Sequence, residues 1–333
     1  MVAVAADWEK PSKTGENRAM FISHCSREAL VKAASVLREG GLVAFPTETV
    51  YGLGADADNE GAVARIYEVK GRPADHPLIV HIADLDQVDY WAQNIPDYAI
   101  SLMRDYWPGP MTLVFKRNKA KDFITGGQDT VGIRIPAQQI ALTVLKEFEL
   151  LGGHGVAAPS ANRFGAVSTT TAKAVEEEIG ERLSETDQIL DGGPCLVGVE
   201  STIIDCTGEA PRILRPGAIT EEMVESSTRL QLRERDDLIR VSGALEKHYS
   251  PEAKVFTQGE VETGDGFLAL ADIPTPAGVI RLATPNSIEE FARVLYQSLR
   301  DADAKGLTRV KVINPSGPGL AAAIRDRVKR ASR

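Results

Sequence analysis

The run FPTETVYGLGADADNEGAVARIYEVKGRPADHPLIVHI, residues 45–82, constrains this chain more than any other stretch. The apolar residues 41–45 read as a buried strand, which Pro46 breaks into Thr47-Glu48-Thr49-Val50-Tyr51-Gly52-Leu53-Gly54. One strand end therefore gathers hydroxyls, a carboxylate and glycines. Ala62, Val63, Ile66 and Val69 then recur at the spacing of one helix face, and Pro73 stops that helix just after Lys70-Gly71-Arg72. Two cations thus leave a helix C-terminus together. In the next apolar run, Leu78-Ile79-Val80-His81, strand alternation turns His81 to the face opposite Val80. A lone histidine in such a run is usually a core residue, and its face and its nearness to Lys70 and Arg72 leave a second use open.

The remaining chain keeps alternating strands with helices, which predicts an α/β domain with a mixed or largely parallel sheet. Ser26 precedes an amphipathic helix that ends at Gly40-Gly41, and a helical region at 85–106 is interrupted at Pro96. Trp107-Pro108-Gly109-Pro110 reads as a proline-rigidified turn into a buried strand at 111–115. In residues 130–136, Val131, Ile133 and Ile135 share one strand face, and Thr130, Gly132 and Arg134 share the other. Val156-Ala157-Ala158-Pro159-Ser160-Ala161-Asn162 combines small side chains, which let a ligand approach the backbone, with donors on Ser160 and Asn162. Ser168 or Thr169 is the candidate N-cap of a helix at 172–179, a strand follows at 199–205, and Arg212-Ile213-Leu214-Arg215-Pro216-Gly217 closes the domain.

The 333 residues therefore divide into a loose leader (1–20), a first domain (21–217), a charged linker (218–251) that carries Lys247-His248-Tyr249-Ser250-Pro251, and a second unit (252–333). In the second unit, short strands near 267–270, 278–282 and 309–313 flank an amphipathic helix at 288–299, which predicts a small parallel, Rossmann-like sheet.

Lys70, Arg72, Arg134 and Arg215 stand with Thr49, Ser160, Asn162, Ser168 and Ser201 at predicted strand ends. Guanidinium forks match phosphate and carboxylate oxygens two at a time, so this set suits an anion larger than one charge, such as ATP with an amino acid, or an RNA backbone. A net charge of −9 argues against gripping nucleic acid through the whole surface field. The chain lacks the phosphate-loop, dinucleotide, zinc-helix and serine-elbow motifs. No apolar run approaches the ~20 residues that span a bilayer, and the N-terminus lacks a signal peptide's plan, so a cytoplasmic protein with no membrane partner is expected. Cys25, Cys195 and Cys206 are too sparse for a disulfide framework or a metal pair and are expected to be small apolar fillers.

The Phe45–Leu53 segment, Lys70-x-Arg72-Pro73 and Pro77-Leu78-Ile79-Val80-His81-Ile82 together resemble the YrdC/Sua5 family, as do Trp107–Val114, residues 199–205 and residues 212–217. The extra C-terminal unit resembles that of long Sua5-type members. The resemblance implies a YrdC-like twisted mixed sheet and a nucleotidyltransferase that makes L-threonylcarbamoyl-adenylate and pyrophosphate from L-threonine, bicarbonate and ATP with Mg²⁺. No tightly bound, protein-ligated metal is expected. A downstream tRNA threonylcarbamoyl transferase would then modify adenosine 37 of ANN-decoding tRNA; direct tRNA binding is compatible with this but not required. Carried onto matching positions, the resemblance assigns threonine to Thr49, His81, Arg134, Ala158 and Ser201. It assigns ATP to Arg72, His76, Thr130, Ser160, Ser168, Arg215 and Tyr249, and catalysis to Lys70, Arg72, Ser160 and Asn162. His76 replaces a common asparagine, residues 165–169 lack an arginine and a proline, and Ser250 replaces a common alanine. The competing readings are a non-catalytic RNA-binding module and carbamoyl-adenylate chemistry in hydrogenase maturation; no acylphosphatase-like or zinc-ribbon segment accompanies the latter.

Overall fold

The computed structural model describes residues 21–234, 239–243 and 249–332. The expected leader and His248 lie outside the described residues. The first eleven strands form one mixed sheet. Ten of them run in the order Ile22–His24, Gln188–Asp191, Val43–Phe45, Gly52–Asp56, Val156–Ala157, Ile79–His81, Thr130–Arg134, Met111–Arg117, Thr202–Asp205 and Arg212–Arg215, and Ala92–Gln93 joins Met111–Arg117 from outside that path. Parallel and antiparallel pairs both occur. Val43–Phe45 pairs antiparallel with Gly52–Asp56, for example, and Ile79–His81 pairs parallel with Thr130–Arg134.

Helices cover this sheet because their apolar faces have nowhere else to go. Helix Arg27–Arg38 is capped by Ser26, whose side chain accepts from the Ala29 amide, and it buries Leu30, Ala33, Ala34 and Leu37. That face packs on Ala141, Val144, Leu145 and Phe148 of helix Gln139–Leu150. Each fully buried leucine or phenylalanine stabilises the fold by about 1.5–3 kcal/mol. Helix Glu60–Lys70 buries Ala62, Val63, Ile66 and Val69 in the main core, and it ends on Gly71 with φ 62°. That left-handed turn is nearly free only for glycine, and it redirects the chain so that Lys70 and Arg72 separate.

Two local expectations change. Helix Ala172–Ile179 is capped by Thr171, not by Ser168 or Thr169, both of which are buried further back. The stretch after Ala218 is not featureless, since helix Glu221–Thr228 packs on helix Asp97–Tyr106, with the Tyr106 hydroxyl donating to the Met223 carbonyl at 2.8 Å. Arg233 then ties the chain back to the buried Asp205 at 2.8 Å. Low hydrophobic periodicity hid this helix because only Val224 is buried.

The second sheet is parallel throughout, in the order Lys254–Phe256, Arg309–Val312, Gly266–Leu268, Ile280–Ala283. Helices Ile288–Ala304 and Leu320–Ala331 accompany it. Its core is shared with the first unit. Phe291, Leu295, Tyr296 and Val328 cluster with Val50, Val167 and Val199. Burial, with Glu48 beside Cys195 and Asp205 beside Cys206, pushes those two thiols up, in keeping with apolar filler roles. Among the described residues, no helix is long and apolar enough to cross a membrane.

Candidate active site

The site begins at the tight turn after Phe45. The Thr47 hydroxyl accepts from the Thr49 and Val50 amides and donates to the Val50 carbonyl, and this holds Thr49 pointing at Arg134. Arg134 arrives from the neighbouring strand region, where the register sets it directly beside His81 on one sheet face. Its guanidinium donates to Thr49 Oγ1 at 3.0 Å, to Glu48 Oε1 at 2.6 Å and to the Gly109 carbonyl at 3.2 Å. The proline-rigidified turn at 107–110 thus supplies one of the oxygens that aim Arg134. Three of its five N–H groups are used, which leaves two for a ligand. Burial, then the Arg134 charge, push the His81 imidazole down to about 3, so it is neutral near pH 7.

Arg72 and Arg215 approach from other directions. Arg72 donates to the Pro77 carbonyl and to Ser242 Oγ, and its guanidinium lies 5.6 Å from the Phe164 ring centroid. Arg215 donates to the carbonyl and hydroxyl of Ser201 and to the Ser242 carbonyl. Burial lowers the Arg72 guanidinium to about 10, which leaves it charged at neutral pH. Arg72 Nε and His81 Nδ1 are buried with no partner among the described residues. Both residues line the cleft, and leaving such groups unmade is costly, so they mark it as a place for a polar ligand.

The cleft, about 530 Å³ including the solvent at its open mouth, brings together Thr49, His81, Arg134, Ala158, Ser201, Arg72, Ser160, Arg215 and Tyr249. Nine expected site residues from eight separate segments therefore meet. Gly52 permits the narrow wall, because a side-chain carbon there would come within 3.3 Å of the Ala158 methyl.

Five expected residues do not line the cleft. Lys70 is buried behind the wall, where its ammonium donates to the Ser160 carbonyl at 2.5 Å and to the Asn162 carbonyl, so it braces the 160–162 turn. Asn162 turns away from the cleft and donates to the carbonyls of Arg163 and Ala166. The Ser168 hydroxyl is taken by Glu200 at 2.6 Å. His76 stacks edge-on against Phe164 at 5.2 Å, and Thr130 lines an adjoining pocket with Gln128, Gly132 and Ser242.

Sequence reasoning missed Glu48, Glu200 and the linker residues Ser242 and Gly243, all of which line or border the cleft. The acids could have been noticed as carboxylates set beside hydroxyls in Thr47-Glu48-Thr49 and Glu200-Ser201. Nothing local marks Ser242, which is held at the cleft by its hydroxyl's bond to the Pro77 carbonyl at 3.0 Å and by Arg72 and Arg215. Gly243 has φ 77°, and a side-chain carbon there would fall 2.2 Å from the Tyr249 hydroxyl oxygen.

Glu200 carries a pH signature. Burial alone would raise its pKa, but Arg327, Arg215 and the Ser168 hydrogen bond outweigh burial and hold it at about 2, against an ordinary 4.5. A depressed folded-state value means that its stabilising contribution is complete above about pH 4.5 and is lost as pH falls through about 2. Thermal melting should therefore show a gap between wild type and Glu200→Gln that is constant above about pH 5 and shrinks on acidification. A gap that is flat across this range would exclude the pairing.

Residues 35–217 match the family model for Sua5, YciO and YrdC, described as telomere recombination, and residues 219–333 match the threonylcarbamoyl-AMP synthase C-terminal domain. The chain belongs to the Sua5/YrdC family. It is 38% identical over 324 residues to the threonylcarbamoyl-AMP synthase of Pyrococcus abyssi, covering 90% of this chain and 93% of that one. The Bacillus subtilis threonylcarbamoyl-AMP synthase is 36% identical over 327 residues, covering 91% and 92%. The crystal structure of Pyrococcus abyssi Sua5 complexed with L-threonine superposes with a TM-score of 0.83 at 36% identity, over 93% of this chain and 97% of that one. This Sua5-family chain thus has both the YrdC-like sheet and the C-terminal unit of its long relatives.

Proposed function

We propose that the cleft makes L-threonylcarbamoyl-adenylate from L-threonine, bicarbonate and ATP, for N6-threonylcarbamoyladenosine formation in tRNA. One observation carries the reading: a chain similar over nine-tenths of its length to named synthases gathers a neutral histidine and three buried arginines, with hydroxyls, in one cleft. Threonine's carboxylate takes the free N–H groups of Arg134, its hydroxyl meets Thr49, and its amine lies near His81, which being neutral does not repel it. The triphosphate lies towards Arg72, Arg215 and Ser160, with Tyr249 closing the cleft.

The threonine amine attacks bicarbonate, forming the N–C bond and releasing water, and a carbamate oxygen then attacks the α-phosphorus as the bond to pyrophosphate breaks. Little covalent work falls to the protein. Its residues hold three reactants in line and oppose the charge that develops on the phosphates, where buried arginines act without reorganising. Lys70 contributes by fixing the 160–162 turn. Among the described residues no group of three acids, histidines or cysteines could hold a metal, and Glu48 and Glu200 are already bound by arginines. In this reading Mg²⁺ would travel with the nucleotide's phosphates. The cations are buried in a pocket instead of strung along a surface, which favours a mononucleotide over an RNA strand. In this reading residues 21–217 are the catalytic domain, 218–251 a linker that doubles as a lid, and 252–333 the C-terminal domain.

Incubation with ATP, threonine and labelled bicarbonate should release pyrophosphate and yield a labelled adenylate, with serine a poor substrate and valine a worse one. Equal turnover of threonine and valine, or no labelled adenylate, would refute the reading. Arg72→Ala is expected to weaken ATP binding by about 1.5–3 kcal/mol, the worth of a charge-assisted phosphate contact. Calorimetric titration of a folded variant checks this, and wild-type affinity would sink the assignment.

A further inference from the structure

Two helices of the C-terminal unit reach the wall of the nucleotide cleft through one carboxylate. Glu200 lines the cleft just before strand Thr202–Asp205. Its Oε2 accepts from Arg327 Nε at 2.8 Å and from the Tyr296 hydroxyl at 2.9 Å, and its Oε1 accepts from Ser168. Tyr296 belongs to helix Ile288–Ala304 and Arg327 to helix Leu320–Ala331, more than ninety residues away in sequence, and both are fully buried. Arg327 also faces the Tyr249 ring, its guanidinium carbon 5.5 Å from the centroid. A fully buried arginine with a direct carboxylate partner is a costly arrangement to keep, and nothing in the catalytic reading above uses it.

The consequence lies in the charge of the cleft. Glu200 is the lining carboxylate on the side of Arg215, to which the phosphates are assigned. Left unpaired, it would repel a triphosphate and compete with it for Arg215. With Arg327 and Tyr296 engaged on Oε2, Arg215 makes its hydrogen bonds to Ser201 and Ser242 and none to Glu200. We propose that Arg327, assisted by Tyr296, is a positioning residue for nucleotide binding: it neutralises and holds Glu200 so that Arg215 is not drawn into a direct pair with that carboxylate and keeps its charge for the phosphates. Through these two side chains the C-terminal unit sets the ATP affinity of a cleft built by the first unit. The inference rests on the nucleotide reading of the cleft.

Calorimetric titration of ATP, and separately of threonine, into the full chain tests it. Arg327→Met keeps length and apolar contact while removing the charge, and it should weaken ATP binding at least about tenfold, with threonine affinity held within about twofold. Tyr296→Phe, which removes only the hydroxyl, should weaken ATP about threefold. Adding Glu200→Gln to Arg327→Met removes the unpaired charge and should bring ATP affinity back to within about threefold of wild type. A purely structural role for Arg327 would not be rescued this way. Wild-type ATP affinity in Arg327→Met, or a double variant as weak as the single one, overturns the inference. If Arg327→Met does not fold, Tyr296→Phe and the double variant decide: wild-type affinity in the first or failure of the second overturns it equally. A wild-type chain that binds no ATP would instead defeat the nucleotide reading, and this inference with it.

Discussion

Arg134→Met is expected to abolish threonine binding and to lower folding stability by about 3–5 kcal/mol. Two separate costs combine. Arg134 lines the cleft, and on the proposed reading its remaining guanidinium N–H groups hold the threonine carboxylate, so its loss would remove a charge-assisted pair. It is also the cation for Glu48, which is buried and accepts from Arg134 at 2.6 Å and from the Ala137 amide at 3.0 Å. Removing one partner of a buried pair leaves the other charge uncompensated, which costs more than the pair contributes. Urea unfolding and threonine titration read the two effects independently. Glu48→Gln in the Arg134→Met background should restore much of the stability while leaving threonine binding lost. Threonine affinity within about twofold of wild type in Arg134→Met would remove Arg134 from the site.

Truncation after Gly217 is the second large effect. Most of the main core and all of the Arg27–Arg38 layer lie in residues before Ala218, so the fragment should fold and still bind threonine. It loses Tyr249 and Ser242 from the cleft and Arg327 and Tyr296 from Glu200, and it exposes Val50, Val167 and Val199. ATP binding should become undetectable at concentrations that saturate the full chain, and any adenylate formed should hydrolyse, because closed clefts are what keep water from such intermediates. A fragment that makes and retains the adenylate at the full-length rate would rule out both the lid and the charge-setting roles. The position of Tyr249 favours the lid: it is buried at φ 59°, a conformation uncommon for a side chain this large, and it faces the cleft on one side and Tyr296 at 5.5 Å on the other.

Much of this was legible because the chain writes its local rules plainly. Strand alternation gave His81 and Arg134 the correct face, and the actual register sets them side by side. Helical spacing with Pro73 behind it gave the Lys70–Arg72 exit, and apolar runs gave the parallel second sheet. The family resemblance grouped Thr49, His81, Arg134, Ala158 and Ser201, and the fold brings all five to one cleft. Lys70 was the reverse case. Its charge marked it as a ligand contact, yet burial drives its pKa down and two backbone carbonyls claim its protons.

The sequence by itself determined the α/β class, the strand and helix positions that supply the cleft, and the residue types at each of those strand ends. Periodicity and turn chemistry are local, acting over a few residues, so one chain suffices to read them. Only the tertiary structure decided which charges are free. Glu48 is neutralised by Arg134 from 86 positions away and Glu200 by Arg327 from 127 positions away. Ser242 enters the cleft from the charged linker through the Pro77 carbonyl, 165 positions back. Whether a carboxylate opposes a phosphate or is cancelled by a cation depends on distances of a few ångströms between segments that the chain order leaves far apart, and burial multiplies the difference by removing the water that would screen it.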